Sequence, residues 1–310
     1  MPARLRSASL LRLVSLCVFL PLVATPMTVS GASRSVPAST PVYATALRVP
    51  AFSHIYVIVM ENHEYGSIVG NTHAPYINAV IRRYGLATNY TAVAHPSEPN
   101  YLALWAGSTF GVHDDAIHNF AARNLADQLA AHRRTWHVYA QDLPRLCSTV
   151  SAARGGVDLV GAGGWYVRKH EPAISFTDIS RTRRCRQITR LSTFSPTAAN
   201  FELIVPNMTN DMHDGTIAQG DAFLRAFVPR ITHSAAFANS LLVITWDEGS
   251  TRLGGGGRVA TIVVSPRAFA GHRSGIAHNH YSLLRTIENA WGLGCLNRTC
   301  GANDLREFFR

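Results

Sequence analysis

Asp247 and Glu248 stand side by side directly after an apolar run, Leu-Leu-Val-Ile-Thr-Trp, and just before Gly249. Adjacent carboxylates repel one another and are costly to hold together without a cation. The same layout recurs at His54–Met60, which runs into Glu61-Asn62, and at Phe201–Val205, which runs into the polar cluster Asn207 to His213. Glu61, Asn62, Asp247 and Glu248 are hard oxygen donors suited to a divalent cation. Such an ion polarises a phosphoryl oxygen and lowers the pKa of a bound hydroxyl or water. Ser97 precedes Pro99, a residue that fits the first turn of a helix. A serine there faces free backbone N–H groups and the positive end of the helix dipole, which together favour a phosphate. Its hydroxyl is the expected nucleophile. His280 and His213 are expected to bind metal or to protonate a leaving alkoxide. Taken singly, each feature has an ordinary explanation: an acidic turn, a serine cap, a structural histidine.

The elements that would position these groups are legible as alternation. Apolar, β-branched runs at His54–Met60, Ala87–Val93, Thr135–Ala140, Phe201–Val205, Leu241–Trp246 and Arg258–Ser265 predict strands. Between them, Pro75–Tyr84, Asn124–His132, Thr216–Val228 and Tyr281–Gly292 predict helices. Strands alternating with helices imply a largely parallel sheet covered on both faces. In such a sheet ligands bind at the carboxyl ends of the strands. Several polar strand endings on one edge amount to a site where one alone would not.

The chain has 310 residues. Arg4, Arg6 and Arg12 before the apolar run Leu13–Ala24, then the small residues Ser30 to Ala32, have the layout of a cleaved secretory signal over 1–32. That run is short and holds Pro21, so no stable membrane anchor is expected. Residues 33–50 read as a flexible lead-in and 51–310 as one domain, with an irregular Gly- and Arg-bearing insertion at 145–186. An exported protein is expected to pair its four remaining cysteines, Cys295 with Cys300 and Cys147 with Cys185. Net charge is +10, or +7 without the first 32 residues and their three arginines. Lys169 is the single lysine, so the excess is nearly all arginine. No nucleic-acid-binding motif accompanies it, and no nucleic-acid partner is expected. Arg154, Arg168, Arg181, Arg183 and Arg184 are open to two readings, anion binding or a solvated face.

Five stretches in order, H-I-Y-V-I-V-M-E-N, H-P-S-E-P-N-Y-L-A-L-W-A-G, N-D-M-H-D-G, T-W-D-E-G and H-Y-S-L-L-R-T-I-E, resemble the phosphoesterase family. That family holds secreted acid phosphatases and bacterial phospholipases C on an alkaline-phosphatase-like fold. The likeness spans about Phe52 to Gly292 and is strongest to the mycobacterial secreted acid phosphatase branch. The resemblance implies a three-layer α/β/α sandwich with a mostly parallel central sheet. It implies Glu61 and Asn62 as the first metal-binding pair, Asp247 and Glu248 as the pair closing the metal site, and Ser97 as the residue that is phosphorylated. Asn207, Asp211, His213 and His280 fall in motifs lining the same pocket, and Asn100 is placed to hold the phosphate. The two-zinc phosphatases carry more Asp and His ligands than are recognisable here. The metal, whether Mg, Ca, Zn or Fe, and its number stay open. The expected activity is that of a secreted, metal-dependent acid phosphatase acting on phosphoinositide headgroups or other small phosphate esters. The alternatives are a phospholipase C or phosphodiesterase of the same family, favoured less by the chain's length, and a non-catalytic surface binding protein on a phosphatase scaffold.

Overall fold

The computed structural model describes residues 47–156 and 158–310. The leader expected at 1–32 and most of the lead-in expected at 33–50 lie outside the described residues. The main sheet has strands β1 (His54–Met60), β2 (Gly85–Ala87), β3 (Trp136–Ala140), β4 (Ile188–Arg190), β5 (Phe201–Val205), β6 (Ser240–Trp246), β7 (Thr261–Val264) and β8 (Arg273–Ser274). Their spatial order is β8-β2-β7-β6-β1-β5-β3-β4. Within this sheet β7 alone opposes its neighbours; the other pairings are parallel. The numbered helices are α1 (Pro75–Arg83), α2 (Ser97–Ala106), α3 (Leu125–Ala131), α4 (Ile217–Thr232) and α5 (His280–Trp291).

β1 and β6 are central, and central strands of a sheet covered on both faces must be apolar on both sides. Every residue of β6 is buried, as is every residue of β1 after His54. Val57 of β1 and Leu203 of β5 line one small void with Leu104 and Trp105 of α2 and Leu283 and Ile287 of α5. Helices α1 and α4 pack together as the second helical layer. There Asp221 of α4 accepts from the free N–H groups of Tyr76 (3.2 Å) and Ile77 (2.8 Å) at the start of α1.

The register decides where the chemistry falls. His54 pairs with Ser240 and Met60 with Trp246, so β1 and β6 end at one level. The Asp247 N–H extends the ladder to the Met60 carbonyl (2.9 Å), and the Glu61 N–H reaches the Asp211 carbonyl (2.8 Å). Neighbouring strands lie about 4.8 Å apart. Glu61, Asp247 and Asp211 therefore leave the sheet as neighbours on its carboxyl edge.

Several expected boundaries shift. The segment expected at Ala87–Val93 divides into β2 and a two-residue strand, Tyr90–Thr91, that pairs with His278–Asn279 outside the main sheet. α4 runs past Val228 to Thr232, through Pro229. The region 145–186 is more ordered than expected. It holds an antiparallel hairpin, Ala152–Arg154 with Trp165–Val167, then short turns of 3-10 helix. Disulfides join Cys147 to Cys185 and Cys295 to Cys300. Among the described residues no helix is long and apolar enough to cross a membrane.

Candidate active site

Ser97 is the first residue of α2, with Pro96 at the cap position, so it lies inside the helix and not at its cap. The loop before it is clamped by Asn100. The Asn100 carbonyl accepts from Val93 N (2.9 Å) and Ala94 N (3.1 Å), and its NH2 donates to Ala94 O (2.9 Å) and Pro96 O (3.2 Å). Asn100, expected on the phosphate, thus spends its amide on positioning the serine. The Ser97 hydroxyl lies 3.2 Å from Glu61 Oε2 and 3.3 Å from Glu248 Oε1. Asn62, at a φ of 50°, turns the chain sharply out of β1. Its backbone N–H donates to Asp247 Oδ1 (3.1 Å). Its side-chain NH2, turned toward the acids, reaches Asp247 Oδ1 at 3.2 Å and Glu61 Oε2 at 3.0 Å. Facing a cation instead, the same amide would present its oxygen.

Three residues not singled out from the sequence complete the cluster. His170, from the 145–186 region, is buried with Nε2 at 3.3 Å from Glu61 Oε2 and Nδ1 at 3.5 Å from Asp211 Oδ2. Tyr101 donates its hydroxyl to Glu61 Oε1 and stacks on His170, ring centroids 5.1 Å apart. Its position was readable: Ser97 and Tyr101 are four apart, hence on one helix face. His95 pairs through Nδ1 with Glu248 Oε2, while Nε2 lies 2.8 Å from the Thr251 carbonyl. A carbonyl only accepts, so Nε2 carries hydrogen and a proton is shared between Nδ1 and Glu248.

Other expected residues stand behind or beside this group. His280 is wholly buried, Nε2 2.5 Å from the Asp247 carbonyl and Nδ1 3.1 Å from the Tyr90 hydroxyl. Burial pushes its pKa down to about 4. It is a neutral ring that fixes the backbone of Asp247. Asn207 donates to Asp142 Oδ2 (2.7 Å) and Ala162 O (2.9 Å) and accepts from Thr209 N and Asn210 N, which shapes the loop bearing Asp211. His213 sits at the rim, its Nδ1 2.8 Å from Asp214 and its ring centroid 6.2 Å from that of His170.

Burial raises the pKa values of Glu61, Asp211, Asp247 and Glu248. Their mutual repulsion adds to this, Asp247 acting on Glu61 and Glu248 on Asp247. Burial, then Lys169 and His213, holds His170 well below its usual value, so its imidazole is neutral. Asp211 Oδ2, Asp247 Oδ2 and both His170 nitrogens are buried with no aligned hydrogen-bond partner. One ligand atom each from Glu61, His170 and Asp211 lies within 4.8 Å of the others. Neutral imidazole, carboxylates and orphaned oxygens converging in this way fit a divalent cation.

Residues 70–294 match the phosphoesterase family. The phosphatidylinositol-3-phosphatase of Mycobacterium tuberculosis is 35% identical over 257 residues, covering 80% of each chain. An acid phosphatase of Aspergillus fumigatus is 30% identical over 268 residues, which is 82% of this chain but 58% of the fungal one. The chain thus spans less than two thirds of that relative. The lipoteichoic acid synthase of Listeria monocytogenes superposes with a TM-score of 0.58 at 8% identity, over 84% of this chain and 77% of the other. An alkaline phosphatase superfamily protein of Vibrio parahaemolyticus gives 0.53 at 10%, over 83% and 70%. At these identities the likeness is one of fold, the alkaline-phosphatase-like α/β sandwich with a mostly parallel sheet.

Proposed function

This chain belongs to the phosphoesterase family, and we propose that it is a metal-dependent acid phosphatase that acts outside the cell through a phosphorylated Ser97. It is a phosphoric monoester hydrolase, as kinship to proteins named acid phosphatase and phosphatidylinositol-3-phosphatase supports. Phosphoinositides or other small phosphate monoesters are the proposed substrates. The observation carrying the mechanism is the buried Ser97 hydroxyl within 3.3 Å of two buried acids, Glu61 and Glu248.

Glu61, Asn62, Asp211, Asp247 and His170 are the residues that would hold the cation. Bound there, it supplies positive charge for the phosphoryl oxygens and lowers the pKa of the serine hydroxyl. Glu248 takes the Ser97 proton, steadied by the hydrogen it shares with His95. Ser97 Oγ then bonds to phosphorus as the ester P–O bond breaks, and His213, at the rim, gives the departing alkoxide its proton. Water, deprotonated by the now neutral His213, next bonds to phosphorus as the Oγ–P bond breaks. Phosphate leaves, and Glu248 returns its proton to Ser97 Oγ.

Turnover of p-nitrophenyl phosphate by wild type, Ser97→Ala and Asp247→Ala tests this. Each variant is expected to lose activity by about a thousandfold. Full activity in both would sink the reading. Faster turnover of bis-p-nitrophenyl phosphate than of the monoester would point to a diesterase.

A further inference from the structure

Glu98 follows the nucleophile, and its backbone N–H is one of the free donors at the start of α2. It donates to Asp115 Oδ1 at 3.0 Å. The other oxygen of Asp115 lies 2.7 Å from Lys169 Nζ. One carboxylate thus spans a helix-terminal amide and an ammonium, two donors that suit a phosphate. Lys169 adjoins His170 in sequence, and its side chain is 19% exposed. Beside it opens a groove of about 80 Å³ lined by Glu98, Asp115 and Arg168.

Three arginines of the surrounding chain are committed to the fold. Arg168 donates to the His118 carbonyl and Asn119 Oδ1, both at 3.1 Å. Arg184 pairs with Asp127 (2.7 Å) and Asp178, and Arg190 holds the Leu143 carbonyl (2.8 Å) and that of Pro144. Lys169 differs, since its partner is a single half-exposed carboxylate that a phosphate can replace. An ammonium on a flexible stem is suited to that exchange, where a planar guanidinium is held by its fork.

We propose that Lys169 is a substrate-binding residue for the phosphoryl group at Ser97, and that Asp115 is the positioning residue that holds its ammonium ready between turnovers. This rests on the phosphomonoesterase reading. The phosphate takes the Nζ contact from Asp115, and the ammonium returns to Asp115 when phosphate leaves.

The test compares wild type, Lys169→Ala, Lys169→Gln and Lys169→Arg on p-nitrophenyl phosphate, with inorganic phosphate as inhibitor. Thermal midpoints accompany the kinetics, and Lys169→Gln, which keeps a donor toward Asp115, stands in should the alanine variant not fold. Removing the charge is expected to raise KM and the phosphate inhibition constant together, about tenfold. The expected kcat stays within about threefold, and Lys169→Arg recovers part of the loss. Calorimetric titration of inorganic phosphate into Ser97→Ala, with and without Lys169→Gln, reads the same contact without turnover. A wild type with no turnover overturns the phosphomonoesterase reading. An active wild type, with KM, phosphate inhibition and phosphate binding all unmoved by loss of the lysine charge, overturns the role of Lys169.

Discussion

His170 joins the two halves of the acidic cluster, with one nitrogen toward Glu61 and the other toward Asp211. A ligand imidazole must be neutral, and burial with the nearby Lys169 keeps it so. Its stack on Tyr101 also fills space, so ligation and packing have to be separated. His170→Phe retains an aromatic face and removes both nitrogens. It is expected to stay folded, to lose bound metal by element analysis, and to lose at least about a hundredfold in kcat. Wild-type metal content in His170→Phe would refute ligation. Glu61, Asn62, Asp247 and Glu248 were legible because polar residues stop an otherwise apolar strand. His170 was not, because Tyr-Val-Arg-Lys-His-Glu-Pro has no period to place it on a face. Its importance comes from where the chain crosses. His95 was hidden in a similar way: its partner Glu248 lies 153 residues further along the chain.

The strands and the 145–186 region position the site by different means. β1 and β6 are held by their ladders, whose flush register delivers Glu61 and Asp247 together. Their run of buried Val, Ile and Leu made them readable. The hairpin and 3-10 turns that carry Lys169 and His170 have no long ladder. The Cys147–Cys185 bridge anchors this region, closing a separation of 38 residues against 5 for Cys295–Cys300. Loop-closure entropy assigns roughly 4 kcal/mol to the longer closure and about 2 kcal/mol to the shorter, on the chain-entropy account. Replacing Cys147 and Cys185 by serine is expected to lower the thermal midpoint and to reduce kcat/KM, since the loop bearing His170 loosens. Replacing Cys295 and Cys300 is expected to lower the midpoint less and to leave kcat/KM within about twofold. Equal kinetic effects from the two pairs would show that the longer bridge does not support the site.

Across the molecule, one sheet edge gathers buried carboxyls that burial and mutual repulsion push upward from ordinary values of 3.8 and 4.5. The sign of the pH effect follows. A carboxyl raised in the folded state adds stability below its unfolded pKa and loses that contribution as pH climbs through its folded pKa. Stripped of metal, the protein is therefore expected to weaken as pH rises from 5 to 8. With a cation bound the trend reverses, because ligands must shed protons to coordinate and binding strengthens with pH. A cation at about a hundredfold its Kd contributes on the order of 3 kcal/mol. In a domain of this size that is roughly 5–10 °C in thermal midpoint. Calorimetric scans with and without chelator at pH 5, 6.5 and 8 are expected to show a midpoint drop on chelation that widens steadily with pH. A drop that is absent, or that narrows toward pH 8, would mean the buried acids are satisfied by protons and not by an ion.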